Sequence, residues 1–295
     1  MKFFSETYDG MNSAWIYDSA VRDTPGRVVR DLIRARELLL DLVWKDLRAR
    51  YRYAVMGFLW AVVEPLLFMA LLAVVFSFIL GDRAALTGSG SRPYAIQLLC
   101  GLIFWQYFSA AVSSATLSLV EARHLVKKVR FPREVIPLAA CLVPLVNLAI
   151  GFALLGVTHL LLGGRLSAGF LAIPVVFGLE LLLTLGLALW FSCGHAIFRD
   201  VGNMVAVGLM FGFYASPVIY PAELVSRATE LPAWLAALYW ANPMAGLLTA
   251  YRNLLFEGSP GDVRMLIWPA VCAVLVFISG LAVFRKSAGT IADSL

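Results

Sequence analysis

The chain has 295 residues, 61% of them hydrophobic and 15% charged, with a mean hydropathy of +0.82 and a net charge of +5. A soluble domain carries about 25% charged residues, so an ordinary water-soluble globule is excluded, and runs that are apolar all the way round, such as 58–80 and 270–284, require a bilayer. Nucleic-acid binding is not expected, because the cations are grouped between apolar runs instead of forming one continuous surface.

Residues 1–54 are polar and charged, with no early apolar core and cleavage site, so no signal peptide is expected and the first span acts as its own insertion signal. Within them, Arg27, Asp31, Arg34, Asp41, Lys45 and Arg48 recur at three- and four-residue steps or multiples of these. They flank a stripe of Val28, Leu32, Leu39, Val43 and Leu47. The pattern predicts an amphipathic helix. It fits a surface helix of a small soluble domain, but its nearness to Phe58 and its basic polar face favour a helix lying on the membrane surface.

Hydropathy over windows of about 19 residues predicts six spans, near 58–80, 95–120, 135–162, 170–197, 204–220 and 263–284. The fifth is the shortest and contains Gly208 and Gly212. The expected fold is an all-α integral membrane protein: a cytoplasmic segment 1–56 with its interfacial helix, a six-helix transmembrane domain 57–285, and a cytoplasmic tail 286–295. Lys and Arg cluster before the first span, between the second and third (Arg123, Lys127, Lys128, Arg130, Arg133) and after the last (Arg285, Lys286), while the opposite loops hold only scattered cations. The positive-inside bias therefore places both termini in the cytoplasm.

The loop 121–134 interleaves its cations with Leu125, Val126, Val129 and Phe131. A topological anchor needs the cations but not the apolar residues, which favours a docking helix. No phosphate-binding loop of the form GxxxxGK[ST] is present; the nearest stretch, Gly280 to Ser287, has Arg285 in place of the second glycine and ends a span. Any ATP hydrolysis is thus expected on a partner. Cys100, Cys141, Cys193 and Cys272 stand singly in apolar stretches and read as small buried hydrophobes, and His124, His159 and His195 show no metal-ligand spacing.

Several segments together resemble the type-two ABC exporter permeases that export O-antigen, capsular polysaccharide or teichoic acid. They are 50–65 entering the first span, 125–134 in the basic loop, Phe198-Arg-Asp-Val-Gly202, Ser216-Pro-Val-Ile-Tyr-Pro221, and Asn242-Pro-Met-Ala-Gly246 with Tyr251-Arg252. The resemblance covers nearly the whole chain. It implies a non-enzymatic permease in the bacterial plasma (inner) membrane, a homodimer bound to two copies of a separate ATPase that holds ATP and Mg. Lipid-linked polysaccharide would pass along the dimer interface. The loop then resembles the family's coupling helix, with Glu121, Arg123, His124, Leu125, Lys127, Lys128, Arg130, Phe131, Arg133 and Glu134 facing the ATPase.

A sugar path needs stacking faces and sparse hydrogen bonds. Trp60 and Phe68 in the first span and Phe211, Phe213 and Tyr214 in the fifth are candidates, since the family places these spans at the dimer interface; ordinary packing or lipid contact is the alternative. Glu64 lies inside an apolar span, where an acid costs roughly 2.5–3.5 kcal/mol. It either forms a cytoplasmic entrance with Arg50 and Arg52, near a polar head group or the docked ATPase, or simply pairs with one of those arginines. Glu180 and Asn147 are expected to form interhelical hydrogen bonds.

Residues 222–262 carry aromatics and prolines that predict short interfacial helices, and the family has such helices over its exit. Tyr220, Trp234, Tyr239, Trp240 and Arg252 are therefore candidates for an external gate, with an aromatic belt as the alternative. Three other classes compete. One is an ABC permease for a lipid or drug. A gradient-driven carrier is a second, but it would show internal repeats and convergent intramembrane acids. An intramembrane enzyme is the third, and it would need a paired His/Asp or HExxH constellation that the chain lacks.

Overall fold

A computed structural model describes residues 35–51, isolated positions between 59 and 74, and residues 94–128, 131–161, 164, 168–227 and 232–287. The described residues form helices and turns with no strand. In chain order these are α1 (Arg36–Tyr51), α2 (Tyr94–Glu121), α3 (Arg123–Lys128), α4 (Val135–Leu142), α5 (Leu145–Leu161), a 3-10 turn (Ala168–Ala172), α6 (Ile173–Ile197), α7 (Val201–Ala215), α8 (Glu223–Arg227), α9 (Ala233–Ala241), α10 (Pro243–Phe256) and α11 (Arg264–Lys286).

Among the described residues, four helical stretches are long and apolar enough to cross a bilayer: Ile96–Glu121, Val135–Leu161, Ala168–Ile197 and Arg264–Lys286. They fall on four of the six expected spans. The expected first span, with Glu64 and Phe68, lies mostly outside the described residues. Residues 204–220 differ from expectation, because the helix there is the shorter Val201–Ala215. Hydropathy continues through Ser216 to Tyr220, but Pro217 biases Ser216 away from helical geometry, and Ser216 is extended (φ −109°, ψ 152°). Residues 135–162 are also not one uninterrupted helix. Pro144 withholds the N–H that would close the turn onto Ala140, and the chain breaks at Val143–Pro144 between α4 and α5.

α2 is the central helix; Leu98, Leu99, Leu102, Phe104, Val112 and Leu119 are all at most 2% exposed. Around it pack α4, α5, α6, α7 and α10. Where α2, α4 and α6 meet, Ala111, Ala115, Ala140, Cys141 and Ala188 form a cluster of small buried side chains that lets the backbones approach closely. Large apolar residues instead face outward, among them Leu161, Leu171, Val175, Leu275 and Ile278, the arrangement a bilayer permits and water does not. Three buried threonine hydroxyls are satisfied within their own helices: Thr116, Thr184 and Thr249 each donate to the carbonyl four residues back, at 2.7 Å. Cys100, Cys141 and Cys193 are buried and free, as their apolar surroundings lead one to expect, whereas Cys272 on α11 is only half-buried.

The tightest helix pair is α6 with α11. A Cβ on Gly186 would lie 2.6 Å from the backbone nitrogen of Phe277, and one on Gly280 would meet the carbonyl oxygen of Gly186. Gly186→Leu should therefore force the helices apart and destabilise the chain by about 1–3 kcal/mol. This is measurable as a lower unfolding temperature in detergent; an unchanged temperature would mean that the pair can slide to absorb the side chain.

Candidate functional site

At the loop end of the bundle, α2 terminates at Glu121 and the six-residue α3 follows. Val126 is buried and Leu125 half-buried in a cluster with Leu42, Leu119, Val135, Ile136 and Phe284. The apolar residues that favoured docking are therefore committed to the chain's own core. The outward face consists of Glu121, Arg123, His124 and Lys127, all exposed. Arg130 and the side chain of Lys128 lie outside the described residues, and Phe131 and Arg133 are half-buried.

Glu134 does not face outward. It is 4% exposed and pairs with Arg285 at the end of α11, Oε1 to Nε 3.4 Å, with the Arg285 side chain 20% exposed. This internal ion pair ties the loop to the last helix. A buried carboxylate requires a partner of this kind.

α1 packs against α4 through Leu42, with Leu38, Leu39 and Val43 beside it, and leaves Leu40 and Trp44 exposed. At its end, exposed Arg50 lines a cavity of about 200 Å³ with Gln106, Tyr107, Ser109 and Asn147. Arg52 and Glu64, the other expected entrance residues, lie outside the described residues. The pairing of Gln106 with Ser109, polar residues three apart inside an apolar helix, was the signal for this cavity that a hydropathy scan passes over.

α7 carries a continuous exposed apolar face of Met204, Val207, Phe211 and Tyr214, spaced by three and four residues. Trp60 is also about half exposed. Phe213 points the other way. It packs edge-on against Trp105 (6.1 Å, 66°) and against Tyr214 (5.1 Å, 89°), so its face is not open as those of Phe211 and Tyr214 are; Phe68 lies outside the described residues. Gly212 lies so close to Trp105 that a Cβ would reach within 2.9 Å of the indole.

At the far end the motif residues converge. Asn242 donates to Ser216 Oγ at 2.8 Å and its Oδ1 accepts from the Met244 N–H at 3.0 Å, capping α10, where Pro243 occupies the first turn. Arg252, 8% exposed, donates to three backbone carbonyls: Val218 at 2.8 Å, Tyr220 at 2.8 Å and Gln97 at 3.3 Å. One guanidinium thus joins α2, α10 and the 216–221 turn. Tyr220 donates to the Tyr214 carbonyl at 3.0 Å, and its ring sits 6.4 Å from that of Tyr239, which meets Trp240 edge-on. Burial raises the hydroxyls of Tyr220 and Tyr239 above the usual tyrosine value, so both stay neutral. Trp234 on α9 is exposed and Trp240 half-buried.

Glu180 has the interhelical partner expected of it: buried on α6, it accepts from Tyr251 Oη of α10 at 2.6 Å, and the Tyr251 ring stacks on Phe104 of α2 at 3.6 Å and 3°. This couples three helices at mid-bundle. The aromatic stack could not be read from spacing, since Phe104 and Tyr251 are remote in sequence.

The chain is 28% identical over 269 residues to the O-antigen export system permease protein RfbA of Myxococcus xanthus, covering 91% of this chain and 99% of that protein. It is 27% identical over 251 residues to a Klebsiella pneumoniae protein of the same name, covering 85% of this chain and 92% of that protein. To the polysialic acid transport protein KpsM of Escherichia coli it is 22% identical over 246 residues, covering 83% and 91%. The family model for the ABC-2 type transporter matches residues 37–256, from α1 through α10 and so across the loop, the cavity and the Arg252 cluster; the chain belongs to the ABC-2 type transporter family.

Proposed function

We propose that this chain is the permease subunit of an ATP-driven exporter of lipid-linked polysaccharide, acting as a homodimer with two copies of a separate ATPase. The observation that carries this is likeness along almost the whole length to O-antigen export permeases, up to 99% of the relative's chain. In this reading the fold has six spans, with the first over 58–80 and the fifth built on α7, and the loop end is cytoplasmic by the positive-inside bias. Arg123, His124 and Lys127 on α3 form the polar face presented to the ATPase. The open face of α7, with Phe211 and Tyr214, meets the second copy and the polymer. Trp234, Tyr239 and Trp240 cover the exit, above a turn that Arg252 holds in place.

Co-purification with the ATPase encoded beside this chain tests the proposal. Stable assembly is expected, and Arg123→Ala with Lys127→Ala should weaken it about tenfold by removing two exposed cations from the docking face. If no ATPase associates with the unmodified chain, a gradient-driven carrier replaces this reading.

A further inference from the structure

α10 is enclosed: every residue from Met244 to Arg252 is buried, and Met244, Leu247, Leu248 and Leu254 pack into the main apolar cluster. Apolar contact is non-directional, so it holds the helix in the bundle without fixing its rotation or its height. Hydrogen bonds are directional, and α10 makes them in two places. Arg252 reaches carbonyls of α2 and of the 216–221 turn. One residue earlier, Tyr251 donates to Glu180 of α6.

An acid is an expensive acceptor for that bond. Glu180 is fully buried; its Oε2 accepts from Tyr251 Oη at 2.6 Å, while its Oε1 has no hydrogen-bond partner. A buried acceptor left unpaired is destabilising, and replacing both members of such a pair by apolar groups of the same shape is close to neutral or stabilising. Stability alone therefore does not explain an acid here, but its place in the frame does. Glu180 lies less than two turns from Gly186, where α6 and α11 meet backbone to backbone, and Arg285 ties the far end of α11 to the loop. Tyr251 is braced from the other side by its stack on Phe104. We propose that Glu180 is a positioning residue for transport: its hydrogen bond to Tyr251 fixes the register of α10, and with it the turn held by Arg252, to the α6–α11 pair. The transport role rests on the export reading; the fixing of α10 does not.

The test compares the unmodified full-length chain with the double variant Glu180→Leu, Tyr251→Phe, which removes the bond and keeps the aromatic stack. Spin labels are placed at exposed Glu257, just past α10, and at exposed Ile278 on α11, with Cys272→Ser to prevent stray labelling. Double electron–electron resonance on the permease alone in detergent is expected to show a broadened distance distribution in the double variant, with an equal or higher unfolding temperature. Glu180→Gln, whose amide oxygen still accepts from Tyr251, should keep the narrow distribution. An unbroadened distribution overturns the proposal. So does a fall in unfolding temperature, failure to fold included, since that marks the pair as an ordinary stabilising contact. In the complex with the ATPase, the double variant should keep assembly and ATP turnover while export falls about tenfold, the equivalent of one buried hydrogen bond; Glu180→Gln should restore export. Undiminished export in the double variant removes the transport role. If no ATPase associates with the unmodified chain, the export reading fails, and the distance measurement alone decides whether Glu180 fixes α10.

Discussion

Arg252→Ala should lower the stability of the chain by about 3 kcal/mol or more, because three backbone carbonyls, those of Gln97, Val218 and Tyr220, lose one shared donor in a buried site. Arg252→Lys should recover less than half, since an ammonium cannot span the fork that reaches three carbonyls. Gly101 provides an independent check. A Cβ there would lie 2.8 Å from Arg252 Nη2 and 2.5 Å from the Val218 carbonyl oxygen, so Gly101→Ala should damage the same clamp without touching its charge. Unfolding in mild detergent, followed by near-ultraviolet circular dichroism, reads all three. An Arg252→Ala chain that unfolds with the unmodified one would show that the turn is held by other contacts.

The second large effect is expected at the Glu134–Arg285 pair. Glu134→Ala leaves Arg285 facing a largely buried position without its carboxylate, at a cost of about 3 kcal/mol. In the complex with the ATPase, the distinguishing result is a split: assembly and ATP turnover kept, export reduced more than tenfold, because the loop is still present but no longer attached to α11. Exchanging the charges, Glu134→Arg with Arg285→Glu, should restore part of the export, whereas either change alone should not. Equal losses of assembly and export would instead mark Glu134 as a folding residue only.

Much of the architecture was legible because a bilayer demands length and apolar composition together, and both are local properties. The helices observed over Tyr94–Glu121, Ile173–Ile197 and Arg264–Lys286 lie where hydropathy alone places spans. The differences arise at prolines. Pro144 and Pro217 interrupt helices without lowering hydropathy, so a window average passes over both. For the candidate site, residue types were legible and their partners were not. Glu134 reads as one more charge in a charged loop, yet its partner stands 151 positions later at the end of another helix. Leu125 and Val126 read as a docking face and pack inward instead. Arg252 was marked by its motif, but its carbonyl acceptors on α2 and on the turn belong to tertiary structure.

The glycine contact between α6 and α11 has a mechanical consequence. With backbone against backbone at Gly186 and Gly280, no compliant side chain separates the two helices, so they bend and shift as one strut. α11 alone, at 23 residues, is about 35 Å long. Its lower end is tethered to the loop by Arg285, and near its upper end Pro269 and the Met265 carbonyl crowd Gly246 of α10, the helix that carries Arg252. A push at the loop thus has a stiff route to the clamp at the opposite end of the bundle.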